Sequence, residues 1–434
     1  MDNHFSLNDI QWIVFEARKL WCGHSNREDN LLNRLLIQNP QPTLKVPDWI
    51  NLNLDPFSEE YRNQFLKLWQ EIFGRGNGQD KTEYDILKHE QDAAYDMCPI
   101  RFPGFYSRRD KEAVKHAGYE FSMLGDICVH SKLSAGKTAL EYGAGSGNIS
   151  INLARLGVDV DTVDISEKYC DHIKLNAEFY GIPLRPYNQK FGFDPKNGAA
   201  PYDSIIFHAC FHHSLDHAEL VGKIYNMLAD DGIVLLSNEP IFDDYYCDWG
   251  LRTDPESISV IGGRGWMELG FRFSYLRELF FRNGFSLNKI KNNFSGIPLF
   301  SAVKFPAFSP LTESSEYSQH IQNAHSPELL GTWTTSRSLI PIFELCGKEN
   351  INLEIISYYP SIKTVQIELG SQRKSIDLLP NKASKIELSI PKKKRKEEKI
   401  DIVISTDAWK PVDIFPESRD RRSLGVLLLS IHYI

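Results

Sequence analysis

The feature that most constrains this chain is a glycine-rich turn between an apolar strand pattern and a helix pattern. Residues 140–148 read LEYGAGSGN, and the helical run ISINLARLG follows at once. Glycines let a chain turn sharply and let a ligand approach the backbone, and the helix behind them presents the positive end of its dipole. Asp164 follows Gly143 by 21 residues, at the tip of the next predicted strand, where a carboxylate accepts hydrogen bonds from ribose hydroxyls. Together these features predict a site for a nucleoside-containing cofactor.

The spacing of the glycines distinguishes between two kinds of such cofactor. A dinucleotide fingerprint, G-x-G-x-x-G, counted from Gly143 needs a glycine where this chain has Asn148. The observed G-x-G-x-G, preceded by Glu141, resembles motif I of the class I methyltransferases, in which the acid at that place helps to orient the amino-acid part of the cofactor. The resemblance implies S-adenosyl-L-methionine, and a nicotinamide cofactor is the alternative. The residues predicted to bind the cofactor are Glu141, Gly143, Ala144, Gly145, Gly147, Asp164, Ile165 and Ala209.

Strand-like and helix-like runs alternate along the middle of the chain. The strand-like runs are KTALEYG, VDVDTVDI, PLRPYN, YDSIIFHA and GIVLLSNE, with helical patterns between most of them. This alternation is typical of a mostly parallel sheet covered by helices on both faces. With the motif I resemblance it predicts an α/β fold: a Rossmann-like class I methyltransferase fold with a seven-stranded sheet whose last strand is antiparallel.

The two ends of the chain have different characters. The run SEEYRNQFLKLWQEIFGRG begins with a serine cap and two glutamates, and it predicts an amphipathic helix. From Gly331 onwards short alternating strand patterns follow one another, as in an antiparallel β-sandwich. We therefore predict an N-terminal helical region at 1–80, a methyltransferase domain at 81–310 and a β-sandwich accessory domain at 311–434.

Composition and charge argue against several classes of protein. The chain has 57 acidic and 49 basic side chains, and its net charge of −8 disfavours a nucleic acid partner. Its seven cysteines are scattered without the spacing of a zinc knuckle or a redox pair, which is typical of a reduced cytosolic protein. With no signal-peptide pattern and no bilayer-length apolar run, we expect a cytoplasmic location. The basic run PKKKRKEEK between two strand patterns indicates a solvated turn.

Four histidines and an acid crowd the end of the fourth predicted strand. Residues 202–217 read YDSIIFHACFHHSLDH, and in such folds this strand end faces the reactive methyl group. Methylation of an oxygen needs a proton removed from a hydroxyl, which suits histidine near neutral pH with an acid to orient the ring. We predict His213 as the base, His212 as its competitor and Asp216 as the orienting acid.

Two other interpretations of these histidines compete with catalysis. The first is packing beside the cofactor or capping of the next helix. The second is a metal site, because histidine and aspartate at short spacings are plausible ligands. A strand end and a turn aim neighbouring side chains in different directions, so we predict that no metal is bound.

Further motifs carry a wider resemblance. FHHSLDH, NEP, WGLR and GWMELGF resemble bacterial methyltransferases encoded with surface-polysaccharide biosynthesis enzymes, a likeness that covers residues 95–305. It implies methylation of a sugar hydroxyl in an O-antigen, a capsule or a related glycan, with the acceptor free or linked to a nucleotide or lipid. The residues predicted to bind the acceptor are Glu239, Trp249, Arg252, Trp266 and Glu268. For each of them ordinary packing is the alternative, and for Glu239 a hydrogen bond to neighbouring backbone.

Two further segments bear on the adenine site and on the C-terminal domain. RPYNQKFGF, after the third strand, lacks the acid that many class I enzymes place against adenine, so Asn188, Gln189 or a backbone group would take that place. The C-terminal FPESRDRRSLGVLLLSI resembles a tail, D-x-R-x-L-G, of bacterial glycosyltransferases and methyltransferases of glycan assembly. That resemblance implies a module that positions a glycan or a partner enzyme. A structural ion pair of Asp420 with Arg422 is the alternative.

Three hypotheses about function follow. The first is an S-adenosylmethionine-dependent methyltransferase that methylates a sugar hydroxyl, with glycan-assembly enzymes as partners. The second keeps the cofactor but changes the acceptor to a lipid or a small metabolite, methylated at an oxygen, nitrogen or carbon. The third is a catalytically silent scaffold in a glycan-assembly complex.

Overall fold

The computed structural model of this chain describes two compact units. The described residues are 4–7, 10, 14, 42–73, 113–291, 293–305, 308–312, 315–342, 348–391 and 400–434. One unit comprises Met1–Leu279 and Leu287–Val303, and the other comprises Phe280–Ser286 and Lys304–Ile434. Most of the predicted N-terminal region, and the part of the basic run at 392–399, lie outside the described residues. The domain boundaries predicted at 80 and 310 stay a prediction.

The described N-terminal residues form a short parallel pair and one helix. Strand β1 (His4–Phe5) pairs with β2 (Thr43–Leu44), and helix α1 covers Glu59–Phe73. The predicted serine cap is present, since the Ser58 hydroxyl accepts a hydrogen bond from the backbone N–H of Tyr61. The residues that α1 buries are Tyr61, Phe65, Leu68, Trp69, Ile72 and Phe73. Leu66, next to Phe65 in the helix, is only half-buried.

Helices and strands then alternate as the sequence predicts. The elements are α2 Ala113–His130, β3 Thr138–Tyr142, α3 Asn148–Arg155, β4 Asp159–Asp164, α4 Glu167–Tyr180, β5 Leu184–Asn188, β6 Tyr202–His208, α5 His217–Met227, β7 Leu228–Ser237, β8 Ile241–Phe242, β9 Trp249–Leu251, α6 Pro255–Arg264, β10 Leu269–Arg272, α7 Phe273–Arg282, β11 Phe285–Lys289 and β12 Leu299–Lys304.

Seven of these strands form the main sheet, in the order β11-β12-β7-β6-β3-β4-β5. The pairs β7–β6, β6–β3, β3–β4 and β4–β5 are parallel, and β12 runs antiparallel to β7. Central strands of a parallel sheet are covered on both faces, and Ile205, Ile206 and Phe207 of β6 are accordingly fully buried. The predicted Rossmann-like methyltransferase fold, with an antiparallel last strand, is confirmed.

A small insertion lies between β7 and α7. Strands β8, β10 and β9 form a three-stranded sheet in that order, and α6 follows β9. Helix α1 packs on this insertion: the Tyr61 hydroxyl donates to the Trp249 carbonyl at 2.9 Å, and the Phe65 ring lies 5.5 Å from the Trp249 ring. The N-terminal helix therefore belongs to the wall of the same unit that carries the glycine loop.

The second unit is an antiparallel β-domain. Its elements are β13 Phe308–Pro310, β14 Gln322–Ala324, β15 Thr332–Ile342, β16 Asn350–Ile356, β17 Lys363–Leu369, β18 Gln372–Leu378, β19 Ala383–Ser389, β20 Ile400–Ser405, α8 Pro411–Ile414 and β21 Leu427–Tyr433. The strand order is β18-β17-β20-β15-β21-β16-β19, with β13 on β21 and β14 on β15. Buried and exposed side chains alternate along β17, as expected for a sheet with one face in a core.

The outermost strands of this sheet also approach each other. The Gln372 side chain of β18 accepts a hydrogen bond from the backbone N–H of Ser389 in β19, and Lys374 donates to the Glu387 carbonyl. The predicted antiparallel β-domain is confirmed, but its strands form one continuous, barrel-like sheet where the sequence predicted a sandwich of two sheets. Arg422 pairs with Asp420 at 2.7 Å, so the ion pair of the C-terminal tail is present and is partly exposed. Among the described residues, no helix has the length and apolar character needed to cross a bilayer.

Candidate active site

The glycine loop joins the buried strand β3 to helix α3. Gly143, Gly145 and Gly147 all have positive φ angles, of 60°, 51° and 77°, a region that L-residues rarely adopt. A Cβ on Gly143 would lie 2.6 Å from the Cβ of Cys210, and a Cβ on Gly147 would lie 2.7 Å from Ile173 Cγ1. Backbone conformation and close packing both require glycine at these two positions.

Asp164 ties the tip of β4 to this loop. One carboxylate oxygen accepts a hydrogen bond from the Gly145 N–H at 2.9 Å, and the other accepts from the Ser166 N–H at 2.8 Å. The Asn188 amide donates to the carbonyls of Asp164 and Ile165. The predicted contact of Asn188 with adenine therefore competes with a structural use, because its amide nitrogen fixes the backbone behind Asp164.

Glu141 is buried at the end of β3. Its carboxylate accepts hydrogen bonds from the backbone N–H and the hydroxyl of Ser150 in α3. Burial raises the pKa of Glu141 to about 7, because a carboxylate without water favours its neutral form. A positively charged group beside Glu141 would restore its charge.

The loop also leaves a buried polar atom unused. Among the described residues, the side-chain oxygen of Asn148, at the start of α3, has no hydrogen-bond partner. A buried polar atom without a partner is costly, and a bound polar ligand is one ordinary way to satisfy it. The loop, Asp164 and Asn148 thus fit a nucleoside-containing cofactor. Ala144 lies in the loop, Ile165 follows Asp164 and Ala209 follows β6, and their contacts with the cofactor stay a prediction.

Glu239 shapes the turn that follows β6. Its carboxylate accepts hydrogen bonds from the backbone N–H groups of Cys210, Phe211 and His212 at 2.8 to 3.1 Å. It also lies 2.7 Å from Nδ1 of His212. The prediction that Glu239 binds the acceptor is corrected here, because its oxygens are already used by the turn. The alternative prediction, a bond to neighbouring backbone, describes the structure.

His212 is held between two carboxylates. Its Nδ1 lies 2.7 Å from Glu239 Oε2 and its Nε2 lies 3.5 Å from Glu268 Oε2. Burial alone would lower the pKa of this ring, but the charge and hydrogen bonds of the two glutamates outweigh burial and raise it to about 10. His212 is therefore protonated at neutral pH. Both of its ring nitrogens face carboxylates, so His212 is less suited than His213 to take a proton from an acceptor.

His213, in contrast to His212, is neutral. Its Nδ1 lies 2.5 Å from the Met267 carbonyl oxygen. Because a carbonyl only accepts, Nδ1 carries the ring proton and Nε2 is the proton-accepting nitrogen. Burial, reinforced by the positive charge of His212, lowers the pKa of His213 to about 4. The ring is neutral and its tautomer leaves Nε2 as the proton acceptor, which is compatible with a general base, although a pKa near 4 makes it a weak one. The role of His213 stays a prediction.

Asp216 does not orient this ring. Its carboxylate accepts a hydrogen bond from Arg62 Nε of α1 at 2.6 Å, and its side chain is more than half exposed. The orienting group at His213 Nδ1 is the Met267 carbonyl, and the nearby acid is Glu268 at 4.0 Å. The predicted role of Asp216 is therefore corrected: it joins α1 to the start of α5.

The remaining predicted acceptor residues divide into two groups. Trp249 is 2% exposed, donates its indole N–H to the Pro56 carbonyl and packs on α1, so it is a core residue. Arg252 lies 3.6 Å from Glu268, and the Trp266 ring meets the His213 ring edge-on at 5.5 Å. Trp266 and Glu268 therefore lie beside the predicted base and Arg252 lies beside Glu268, while Trp249 packs against α1.

A metal ion is the alternative use of this cluster. His212, His213 and Glu268 each offer a ligand atom, and these atoms lie within 4.8 Å of one another. Cations already occupy this cluster, since His212 lies 2.7 Å from Glu239 and Arg252 lies 3.6 Å from Glu268, although Arg252 also pairs with Asp254 at 3.1 Å. A divalent ion would add positive charge beside Arg252, so the absence of a metal stays our prediction.

Comparison with known proteins adds independent information. A family model described as a methyltransferase domain matches residues 124–285. A protein from Geobacillus sp. (strain WCH70), named as a methyltransferase, is 26% identical over 131 residues, which are 29% of this chain. The match spans 52% of that protein, so the chain covers about half the length of the curated relative.

This chain contains a class I S-adenosylmethionine-dependent methyltransferase domain. The family match, the sheet order and the glycine loop agree on this point. The predicted methyltransferase enzyme and its cofactor, S-adenosyl-L-methionine, are confirmed at the level of this domain.

Solved structures similar to the methyltransferase domain include two with different chemistry. Magnesium protoporphyrin IX methyltransferase of Synechocystis PCC 6803, with bound SAM, has 18% identity and a TM-score of 0.32, covering 59% of this chain and 100% of its own. The 1,6-didemethyltoxoflavin-N1-methyltransferase of Burkholderia thailandensis has 19% identity and a TM-score of 0.33, covering 43% and 80%. Similarities this weak say nothing about the acceptor of this domain.

Several residues of the site have no signal in the sequence. Arg62 meets Asp216 across 154 residues, and Trp69 donates its indole N–H to the Trp266 carbonyl across 197 residues. The Met267 carbonyl is a backbone group, so its side chain carries no hint of its use. These contacts depend on how the insertion and α1 fold onto the methyltransferase domain.

The charged state of His212 predicts how the stability of the domain depends on pH. Because its pKa rises from 6.5 to about 10 on folding, the stabilisation is complete below the lower value and lost as pH rises through the higher one. Urea unfolding between about pH 6 and about pH 10.5 should show this loss in the wild type and a flatter profile in His212→Gln. An unchanged slope in the variant would contradict the assignment.

Trp69 is predicted to support the acceptor wall. Its indole N–H bond to the Trp266 carbonyl holds the ring that contacts His213. Trp69→Phe keeps most of the ring but removes the donor. We expect the KM for the acceptor to rise by about 2- to 10-fold, with an unchanged KM for S-adenosylmethionine. Trp49→Phe is the matched control, because Trp49 is partly exposed; equal effects in both variants would count against this role.

Proposed function

We propose that this protein transfers the methyl group of S-adenosylmethionine to a sugar hydroxyl during bacterial glycan synthesis. The observation that carries the proposal is the state of His213: a neutral ring at the carboxyl end of β6, with Nδ1 fixed on the Met267 carbonyl. Oxygen methylation needs such a base, because a neutral hydroxyl is a weak nucleophile. A nitrogen acceptor with a free lone pair has less need of it.

The surroundings of His213 also suit a sugar. Trp266 offers an aromatic ring, which packs against the CH face of a sugar, and Glu268 and Arg252 offer an acceptor and donors for hydroxyl groups. The specific link to an O-antigen, a capsule or a related glycan rests on the resemblance of FHHSLDH, NEP, WGLR and GWMELGF to enzymes of surface-polysaccharide synthesis.

Each group of residues at this site would have its own role in the methyl transfer. When bound, S-adenosylmethionine supplies an electrophilic methyl group on a sulfonium. The glycine loop and Asp164 would hold the cofactor, Glu268 and Arg252 would orient the acceptor, and Nε2 of His213 would accept the hydroxyl proton as the oxygen–methyl bond forms. The new positive charge on His213 would lie 4.0 Å from Glu268, which would stabilise it.

The proposal includes the place and the partners of the reaction. We infer a cytoplasmic location and an acceptor that is free or linked to a nucleotide or a lipid. The β-domain would hold the glycan or a second enzyme of glycan assembly, and nucleic acid is not expected as a partner.

A transfer assay with the full chain tests the proposal. The protein is incubated with S-adenosylmethionine carrying a labelled methyl group and with separate panels of nucleotide sugars, glycan extracts, lipid extracts and small metabolites. We expect the label in a nucleotide sugar or a glycan. Label confined to lipid aglycones or small metabolites would overturn the sugar acceptor while keeping the methyltransferase.

Calorimetry separates both outcomes from a silent scaffold. S-adenosylmethionine and S-adenosylhomocysteine are titrated into the wild-type chain. Binding with transfer supports the proposal, whereas no binding of either ligand would overturn the enzyme and favour a scaffold.

A further inference from the structure

A cluster of polar side chains borders the glycine loop on the side away from Asp164. The neighbouring strands β3, β6 and β7 bring Glu141, His208 and Ser237 to the carboxyl edge of the sheet, where each ends its strand or lies one residue before the end. Asp164 lies at the end of β4, on the other side of β3. The two groups thus flank the loop from opposite directions.

Helix α2 adds a second carboxylate to this cluster. Glu120 Oε2 lies 3.6 Å from Nε2 of His208, whose Nδ1 lies 3.1 Å from the Ser237 hydroxyl. The other oxygen of Glu120 lies 3.7 Å from His116 in the same helix. The side chains of Glu120 and His208 are each only 13% exposed, so His208 fixes Glu120 in a largely dry position.

The carboxylates of Glu120 and Glu141 are both largely removed from water, and a cation would stabilise them. Glu141 is 3% exposed, and burial raises its pKa while the nearby His208 opposes that rise. Taking carboxylates out of water costs free energy unless positive charge or hydrogen-bond donors compensate. An ammonium group has three donors and a full positive charge, so it matches two carboxylates better than the imidazoles of His116 and His208 do.

We propose that Glu120 binds the ammonium group at the amino-acid end of the cofactor, together with Glu141, and that His208 positions Glu120. This inference rests on the proposed function, since it needs S-adenosylmethionine as the ligand. Through Glu120, helix α2 would then contact the cofactor directly, although α2 precedes the glycine loop in the sequence.

Binding of two related ligands tests this inference. S-adenosylhomocysteine carries the amino-acid end, whereas 5′-methylthioadenosine shares the adenosine and the sulfur but lacks that end. In calorimetry we expect Glu120→Gln to weaken S-adenosylhomocysteine by about 10- to 100-fold, and to change 5′-methylthioadenosine by less than about two-fold. Glu178→Gln, on the exposed face of α4, is the matched control and should change neither affinity.

Each outcome gives a clear answer. Equal losses for both ligands would mean that Glu120 only supports the fold, and no loss for either would mean that it does not bind the cofactor; both results overturn the inference. If Glu120→Gln fails to fold, Glu120→Asp, which shortens the side chain but keeps its charge, should still weaken S-adenosylhomocysteine selectively. A wild-type chain that binds neither ligand would overturn the proposed function itself.

Discussion

Replacing His213 with alanine is expected to lower kcat by about 100- to 10,000-fold, the range that general bases contribute. The variant should bind S-adenosylmethionine as the wild type does, because His213 contacts the Met267 carbonyl, Trp266 and Glu268, none of which is a predicted cofactor residue. Initial rates of methyl transfer and calorimetry with S-adenosylmethionine measure the two quantities. His130→Ala is the matched control, since His130 is half-buried at the end of α2, and it should keep full activity.

The same residue predicts the shape of the pH profile. His213 acts in its neutral form and its pKa is about 4, so kcat/KM for the acceptor, measured with the cofactor saturating, should stay level on acidification until the pH approaches that value and then fall. An unperturbed histidine would lose activity near its usual pKa of 6.5. Near wild-type turnover of His213→Ala, with intact cofactor binding, would end the assignment of His213 as the base.

Replacing Glu239 with alanine is expected to lower the free energy of unfolding by about 3–5 kcal/mol, the usual effect of removing one partner of a buried ion pair. The change leaves the His212 imidazolium without its closest carboxylate, and it leaves the backbone N–H groups of Cys210 and Phe211 without their acceptor. Urea unfolding followed by circular dichroism measures the loss in the methyltransferase unit.

A matched control separates this effect from a general cost of losing a glutamate. Glu178 is exposed on α4, and Glu178→Ala should change the free energy of unfolding by less than about 0.5 kcal/mol. A loss below about 1 kcal/mol in Glu239→Ala would show that Glu239 does not stabilise the turn after β6. It would also contradict the assignment of His212 as protonated.

The fold and the cofactor loop could be predicted because their signals are local. The spacing of Gly143, Gly145 and Gly147 reflects backbone angles set within the loop, and the alternation of strands and helices reflects burial on both faces of the sheet. The acid at position 164 follows because parallel strands end at one edge. The β-domain was predictable for a similar reason, since its alternating strands each carry their own pattern.

The roles of the charged groups around the histidines could not be predicted in the same way. Asp216 is three residues from His213, yet its partner is Arg62 of α1. Glu239 and Glu268 come from two different segments, and the turn after β6 uses Glu239 as a cap. Which carboxylate meets which ring depends on the packing of the insertion, and nearness in sequence gave the wrong orienting acid.

The most direct measurement of the central claim is the linkage of the transferred methyl group. The product formed with S-adenosylmethionine labelled with ¹³C in its methyl group is purified and its linkage is determined by NMR and mass spectrometry. We predict a methyl ether on a sugar oxygen, formed by the wild type and not by His213→Ala. A methyl group on nitrogen or carbon, or an acceptor that is not a sugar, would contradict the account.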